Sequence, residues 1–185
     1  ACSSRVGNLA RVVDGVDAVR KAVREEIKGG AHQIKIMASG GVASPTDPIH
    51  FLGYSRGEIA AICEEAAHAD AYVMAHAYTA RAIKRAVECG VRTIEHGNLV
   101  DDEAAREMRA RDAFAVPTLV TYEALAADGA RLGLPPESVA KIAAVREAGL
   151  RSLEISRRNG VPMAYGSDLL GPMHERQSEE FAIRA

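Results

Sequence analysis

The sequence predicts an α/β fold in which a parallel sheet is covered by helices. Short β-rich runs and helical patterns alternate along the whole length, and hydrophobic residues make up 48% of the 185 positions, enough for a sizeable core. Neither G-x-G-x-x-G nor G-x-x-x-x-G-K-[ST] follows any strand, so the nucleotide-binding forms of the open sheet lose their main support. On the residues alone, a doubly wound sheet and part of a (β/α)8 barrel both remain open.

Residues 14–28 read as a helix, with Val16, Val19, Val23 and Ile27 at three- and four-residue spacing and Gly29-Gly30 as its stop. Residues 32–37 form a first strand, followed by Ser39-Gly-Gly-Val and a loop holding Pro45 and Pro48. Ser55-Arg-Gly-Glu58 is a capping box for a helix whose apolar positions are Ile59, Ile62 and Ala66. Strand 71–75, helix 79–89 closed by Gly90, and strand 91–95 come next. Asp101 and Asp102 can cap a helix that runs to Arg111, and 113–116 is a fourth strand leading into Pro117. A long helix follows Pro135-Pro136, with Pro136 suited to its first turn and Gly160 to its end. Residues 161–165 are a fifth strand, and the chain is helical again from Ser178. No internal repeat or low-complexity linker interrupts this order.

Lysine and arginine number 23 against 25 acidic residues, a net charge of −2, which excludes the electrostatic footprint of a nucleic-acid or anionic-membrane binder. The longest apolar stretches, such as 113–116, fall far short of the ~18 residues a membrane span needs. Cys2, Cys63 and Cys89 form no C-x-x-C, and Cys63 and Cys89 lie in helical patterns where a free thiol packs as a small hydrophobe. No disulfide framework or thiolate metal site is expected, and a cytoplasmic location is. The chain opens on Ala1 and closes inside a helical pattern at 181–185, so it is expected to be part of a larger domain.

In parallel sheets covered by helices, function collects at the carboxyl ends of strands. Those ends carry Lys35, then His76 and Tyr78, then His96, then Thr118, then Asp168. Each has a plain structural reading: a hydrogen-bonded core histidine, a helix-capping aspartate, a lysine paired with Glu95. Lys35 is the hardest to dismiss. It stands between two isoleucines in a strand expected to be buried on both faces, where lysine is almost never left unpaired. Burial lowers an amine's pKa, and a neutral amine can react with carbon dioxide to give a carbamate, an anionic ligand able to bridge two metal ions. Two histidines, a carboxylate and this lysine would converge on one cleft if the sheet closes, and neutral imidazole and carboxylate are zinc-ligand types. His32, at a strand start, His50, in the loop, and His68, at a helix end, do not fit that cleft; His174 is expected at a solvated helix start.

Five stretches resemble the metal-dependent amidohydrolase superfamily: Gln33-Ile-Lys-Ile-Met-Ala-Ser-Gly-Gly41, Val73-Met-Ala-His-Ala-Tyr78, Thr93-Ile-Glu-His-Gly-Asn98, Val116-Pro-Thr-Leu119 and Gly166-Ser-Asp168. They look most like its prolidase-like and imidazolonepropionase-like members, which include Xaa-Pro and Xaa-Arg dipeptidases. The resemblance implies a (β/α)8 barrel of which this chain, residues 1–185, holds strands four to eight. By it, Lys35 is the carboxylated ligand bridging two zinc ions (Zn2+), His76 and His96 bind the second metal, and Asp168 is both a metal ligand and the catalytic proton shuttle. The implied reaction is hydrolysis of an amide or peptide bond in a small substrate: a dipeptide, an N-acyl amino acid or a cyclic amide. A metal-bound hydroxide attacks the carbonyl, and Asp168 takes its proton and passes it to the departing amine. Tyr78, two residues after His76, is expected either to hold the substrate's free carboxylate or to pack at the rim.

One departure from the family is plain. Its His-x-His pair, at the end of the first barrel strand, occurs nowhere in these residues. The first three strands and the flanking β-sandwich are missing with it, leaving too few ligands for two zincs. Two rival readings follow. One is a non-catalytic half-barrel needing a partner chain, a homo-oligomer included, to complete its fold and site. The other is a metal-free isomerase or lyase using Lys35 as a Schiff-base amine.

Overall fold

Four strands lie side by side in chain order and all run parallel: β1 (Gln33–Met37), β2 (Tyr72–Thr79), β3 (Thr93–Leu99) and β4 (Phe114–Val116). The computed structural model describes residues 10–44, 46–129, 131 and 133–185, so Cys2 and Pro45 lie outside the described residues. Helix α1 (Val16–Lys28) precedes the sheet, and α2 (Arg56–Ala67), α3 (Ala80–Glu88) and α4 (Asp102–Ala110) carry each strand back to the start of the next. Helices α5 (Leu119–Asp128), α6 (Pro136–Arg158) and α7 (Glu179–Arg184) follow, with a 3-10 turn at Gly171–Arg176. This is the parallel α/β architecture expected from the alternation. No helix among the described residues is long and apolar enough to cross a membrane.

Local chemistry sets the helix ends. Ser55 Oγ accepts from the Glu58 amide while the Glu58 carboxylate accepts from the Ser55 amide, closing the expected capping box of α2. Thr79 and Asp101 cap α3 and α4 through the amides of Ala82 and Ala104.

Burial in β1 alternates strictly, and the alternation gives the sheet two unlike faces. Ile34, Ile36, Val73, Ala75 and Ile94 point into the helix layer and form the core with Val19, Ile59, Ile62, Ile83 and Met108. The opposite, inner face carries Lys35, Met37, Tyr72 and Glu95. On it Met37 is 48% and Tyr72 45% exposed.

The structure departs from the sequence reading in three places. β2 and β3 run past their expected ends at Ala75 and Glu95: Ala77 pairs with His96 and Thr79 with Leu99, and Ala77, Tyr78 and Asn98 are buried there. The fifth strand shrinks to one bridge, Ala115 with Met163, since Pro162 has no N–H to continue a ladder. Helix α5 falls between Pro117 and Pro135, where the sequence assigned no element, and it has no side-chain cap of its own to announce it.

The long helix α6 ties the far end of the chain to the sheet. Arg158 and Asn159, at its end, donate to the Asp102 carboxylate at 2.8, 2.5 and 2.8 Å, pinning the start of α4. Gly149 marks its crossing with α5 and β3: a Cβ there would meet Leu119 Cδ2 at 2.6 Å and Asn98 Nδ2 at 3.2 Å. Gly149→Ala should therefore lower thermal stability by about 1–3 kcal/mol, although alanine is the better helix former. The Arg158 and Asn159 bonds hold the Asp102 carboxyl down to about 2. A depressed carboxylate stabilises above its ordinary pKa and loses that contribution as pH falls towards 2. In urea denaturation, Asp102→Asn should be less stable than wild type at neutral pH, and the two should converge in acid.

Candidate active site

The register places Met37, His76 and Glu95 in one row across β1, β2 and β3, all on the inner face. By simple alternation His96, one residue on, would point into the helix layer. A register shift between β2 and β3 at Ala77–Thr79, with left-handed backbone at His96 (φ 75°) and Gly97 (φ 64°), turns it back. Its ring then lies 4.6 Å from that of His76, edge to face, and stacks on Tyr78 at 5.2 Å. Asp168 is also left-handed (φ 50°), and its Oδ2 stands 3.8 Å from His96 Nε2.

Hydrogen bonds decide which nitrogen each imidazole offers. His76 Nε2 is 3.0 Å from the carbonyl oxygen of Gly40, which can only accept, so Nε2 carries the hydrogen and Nδ1 keeps a free lone pair. His96 Nδ1 is 2.7 Å from Thr118 Oγ1, which leaves Nε2 facing Asp168. Burial drives His76 down to about 4 and His96 well below its ordinary value, with the Lys35 charge adding to both. Both rings are therefore neutral at physiological pH. Burial raises the carboxyls of Asp168 and Glu95; the Lys35 charge opposes it at both, and the Thr93 hydroxyl, donating at 2.6 Å, opposes it at Glu95.

Helix α5 supports three of these residues. Besides Thr118 at its cap, Thr121 Oγ1 donates to the Asp168 carbonyl at 3.2 Å, and the Tyr122 hydroxyl donates to that of Tyr78 at 3.0 Å. Thr121 and Tyr122 escaped the sequence reading because α5 did; the signal was the spacing of 118, 121 and 122, one face of a helix.

The structure brings His76, His96, Tyr78 and Asp168 together and sets Lys35 at the edge of the group. Lys35 corrects an expectation: it is exposed, and no ion pair with Glu95 holds it, because nothing among the described residues covers the inner face beside β1. Tyr78 is 1% exposed, which favours packing over rim contact with a substrate. His50 lies in the exposed loop against Phe51, His68 caps the end of α2, His32 precedes β1, and His174 sits in the 3-10 turn. Neutral imidazoles and a carboxylate are donors a zinc-class ion takes, so His76, His96 and Asp168 fit such a metal in kind. They are few: among the described residues no group of three or more His, Cys, Asp or Glu side chains could hold a metal ion.

The profile of the amidohydrolase family matches residues 3–180. The chain belongs to that family. This amidohydrolase chain is 68% identical to a prolidase solved in complex with N-methylphosphonate-L-proline, with a TM-score of 0.93 over 95% of this chain and 43% of that one. A Xaa-Pro dipeptidase with methionine bound in its active site is 30% identical, TM-score 0.84, over 94% of this chain and 43% of that one. Ochratoxinase of Aspergillus niger is 36% identical over 157 residues, which are 85% of this chain and 32% of that protein. The chain thus spans about a third of the curated relative and under half of the solved ones. Its parallel strand–helix order is part of the (β/α)8 barrel, as the motifs implied.

The start of α5 is closed from outside. Glu180 of α7, fully buried, accepts from the Val120 amide at 2.7 Å, and burial pushes its carboxyl up to about 7. A carboxyl raised above its ordinary 4.5 favours folding below that value and loses the advantage as pH rises through about 7. Stability should fall by about 3 kcal/mol across that window, and Glu180→Gln, which keeps a carbonyl acceptor, should flatten the dependence in urea melts.

Proposed function

We propose that the protein carrying this chain is a zinc-dependent hydrolase of amide bonds in small substrates, with Xaa-Pro dipeptides as the leading class. The observation that carries this reading is the pair of neutral imidazoles 4.6 Å apart with the Asp168 carboxylate 3.8 Å from His96 Nε2. His76 through Nδ1, His96 through Nε2, Asp168, and Lys35 as its carbamate are the residues that would hold two zinc ions. When bound, such ions polarise a carbonyl and acidify water. Asp168, with its side chain 46% exposed and its carboxyl raised by partial burial, is placed to take a proton and return it to the leaving amine. Thr118 and the Gly40 carbonyl fix the two imidazoles, and Tyr78 braces the His96 ring. Kinship with a prolidase and with a Xaa-Pro dipeptidase supports the dipeptide class. We place the remaining ligands outside residues 1–185. The free thiols of Cys63 and Cys89 fit a reducing, cytoplasmic setting.

The complete protein should carry about two zinc ions per chain and lose activity on chelation. His76→Ala and His96→Ala should lose both metal and turnover. Thr118→Val should lower kcat/KM by about 10–100-fold, the typical effect of removing a partner that orients a ligand. A freshly purified, complete protein without metal by elemental analysis would overturn the proposal.

The exposed Met37 and Tyr72 favour a second reading, in which the inner face of this chain is covered by a partner copy and catalysis is absent. Size-exclusion chromatography showing a stable, well-behaved monomer of the 185-residue chain would exclude it.

A further inference from the structure

Lys141, in the second turn of α6, lies about a hundred residues downstream of the loop joining β1 to α2, yet its ammonium is spent on that loop. Nζ donates to the carbonyls of Ser44 at 2.6 Å, Gly41 at 3.2 Å and Asp47 at 3.2 Å. An ammonium has three N–H groups, and here all three meet backbone oxygens of one segment. The base of the loop closes on itself, through the Ser39–Leu52 bridge and the bonds Gly40 N–H to Phe51 O and Gly53 N–H to Ala38 O. Its tip relies on α6: besides Lys141, Ser138 reaches the Ala43 carbonyl at 3.5 Å, and Val42 packs with Ile142 and Val145.

The same loop touches the candidate site. The Gly40 carbonyl takes the Nε2 hydrogen of His76, and a Cβ at Gly41 would stand 3.7 Å from the His76 ring. We propose that Lys141 is a positioning residue: by clasping the loop tip it holds the Gly40 carbonyl against His76 and so keeps His76 Nδ1 turned to the cleft. Removing the ammonium strands three partly buried carbonyls at once, and among the described residues nothing else offers them a charged donor. Only the catalytic consequence rests on the proposed hydrolase reading; the clasp and the orientation of His76 do not.

The test compares wild type, Lys141→Ala and Lys141→Met in the complete protein, with n-propylammonium added to the alanine variant to replace the missing atoms. Limited proteolysis within residues 41–50 reads the loop, 15N imidazole spectra read the His76 tautomer, and kcat/KM reads the site. In both variants we expect cleavage within 41–50 about tenfold faster and a His76 signal no longer confined to the Nε2–H form. n-Propylammonium should restore both in the alanine variant, saturably, and kcat/KM should follow the tautomer. Unchanged cleavage overturns the clasp. A loosened loop with an unchanged His76 signal overturns the positioning role. A wild type inactive on every dipeptide defeats the hydrolase reading while the proteolysis and spectral arms still decide this one. The methionine variant, which keeps the packing of the lysine stem, covers a failure of the alanine variant to fold.

Discussion

A single buried carboxylate closes the helix on which the candidate site leans. Glu180 sits across the start of α5, where the backbone amides have no side-chain cap of their own and the helix presents its positive end. From that helix and its cap residue, Thr118 holds Nδ1 of His96, Thr121 holds the backbone of Asp168, and Tyr122 holds the Tyr78 hydroxyl. The groups that could do chemistry come from the sheet and its last loop, but their orientation comes from a short helix beside it. Burial raises the Glu180 carboxyl to about 7, and one of its oxygens has no hydrogen-bond partner among the described residues.

The second constraint is the one-sidedness of the sheet. With α1 to α4 packed on one face of the sheet, strand alternation decides which residues are core and which are left for function. That rule places Lys35, His76 and Glu95 on the inner side without further help. It would have placed His96 on the wrong side, and the bulge between β2 and β3 reverses it. A local break in pairing does here what regular structure cannot, bringing two consecutive ligand-type residues, Glu95 and His96, to the same region.

Much of this was legible in the residues. The helix stop at Gly29-Gly30, the Ser55–Glu58 box and the strand–helix alternation need only neighbours in sequence, and those expectations match the structure. Strand ends also pointed to His76, His96 and Asp168, because function gathers there in this architecture. What failed to show was whatever depends on distant partners. Helix α5 is capped by a residue 60 positions away, and Lys141 works on a loop that lies 94 to 100 positions upstream of it. Burial of Lys35 was misjudged for a related reason. Its strand pattern describes a residue with neighbours on both faces, and among the described residues β1 is an edge strand with an open inner side.

His96 and Asp168 share the left-handed backbone region, where a side chain with a Cβ is held at a cost of about 1–3 kcal/mol each. Glycine or asparagine would relieve that strain in either place. Selection for heat resistance alone would therefore push these two positions away from histidine and aspartate, and only a requirement for their side-chain chemistry pushes back. Thermal robustness and site chemistry are thus set against each other at the same two backbone torsions, so a hardened variant of this scaffold should be sought at the helix layer rather than at the strand ends.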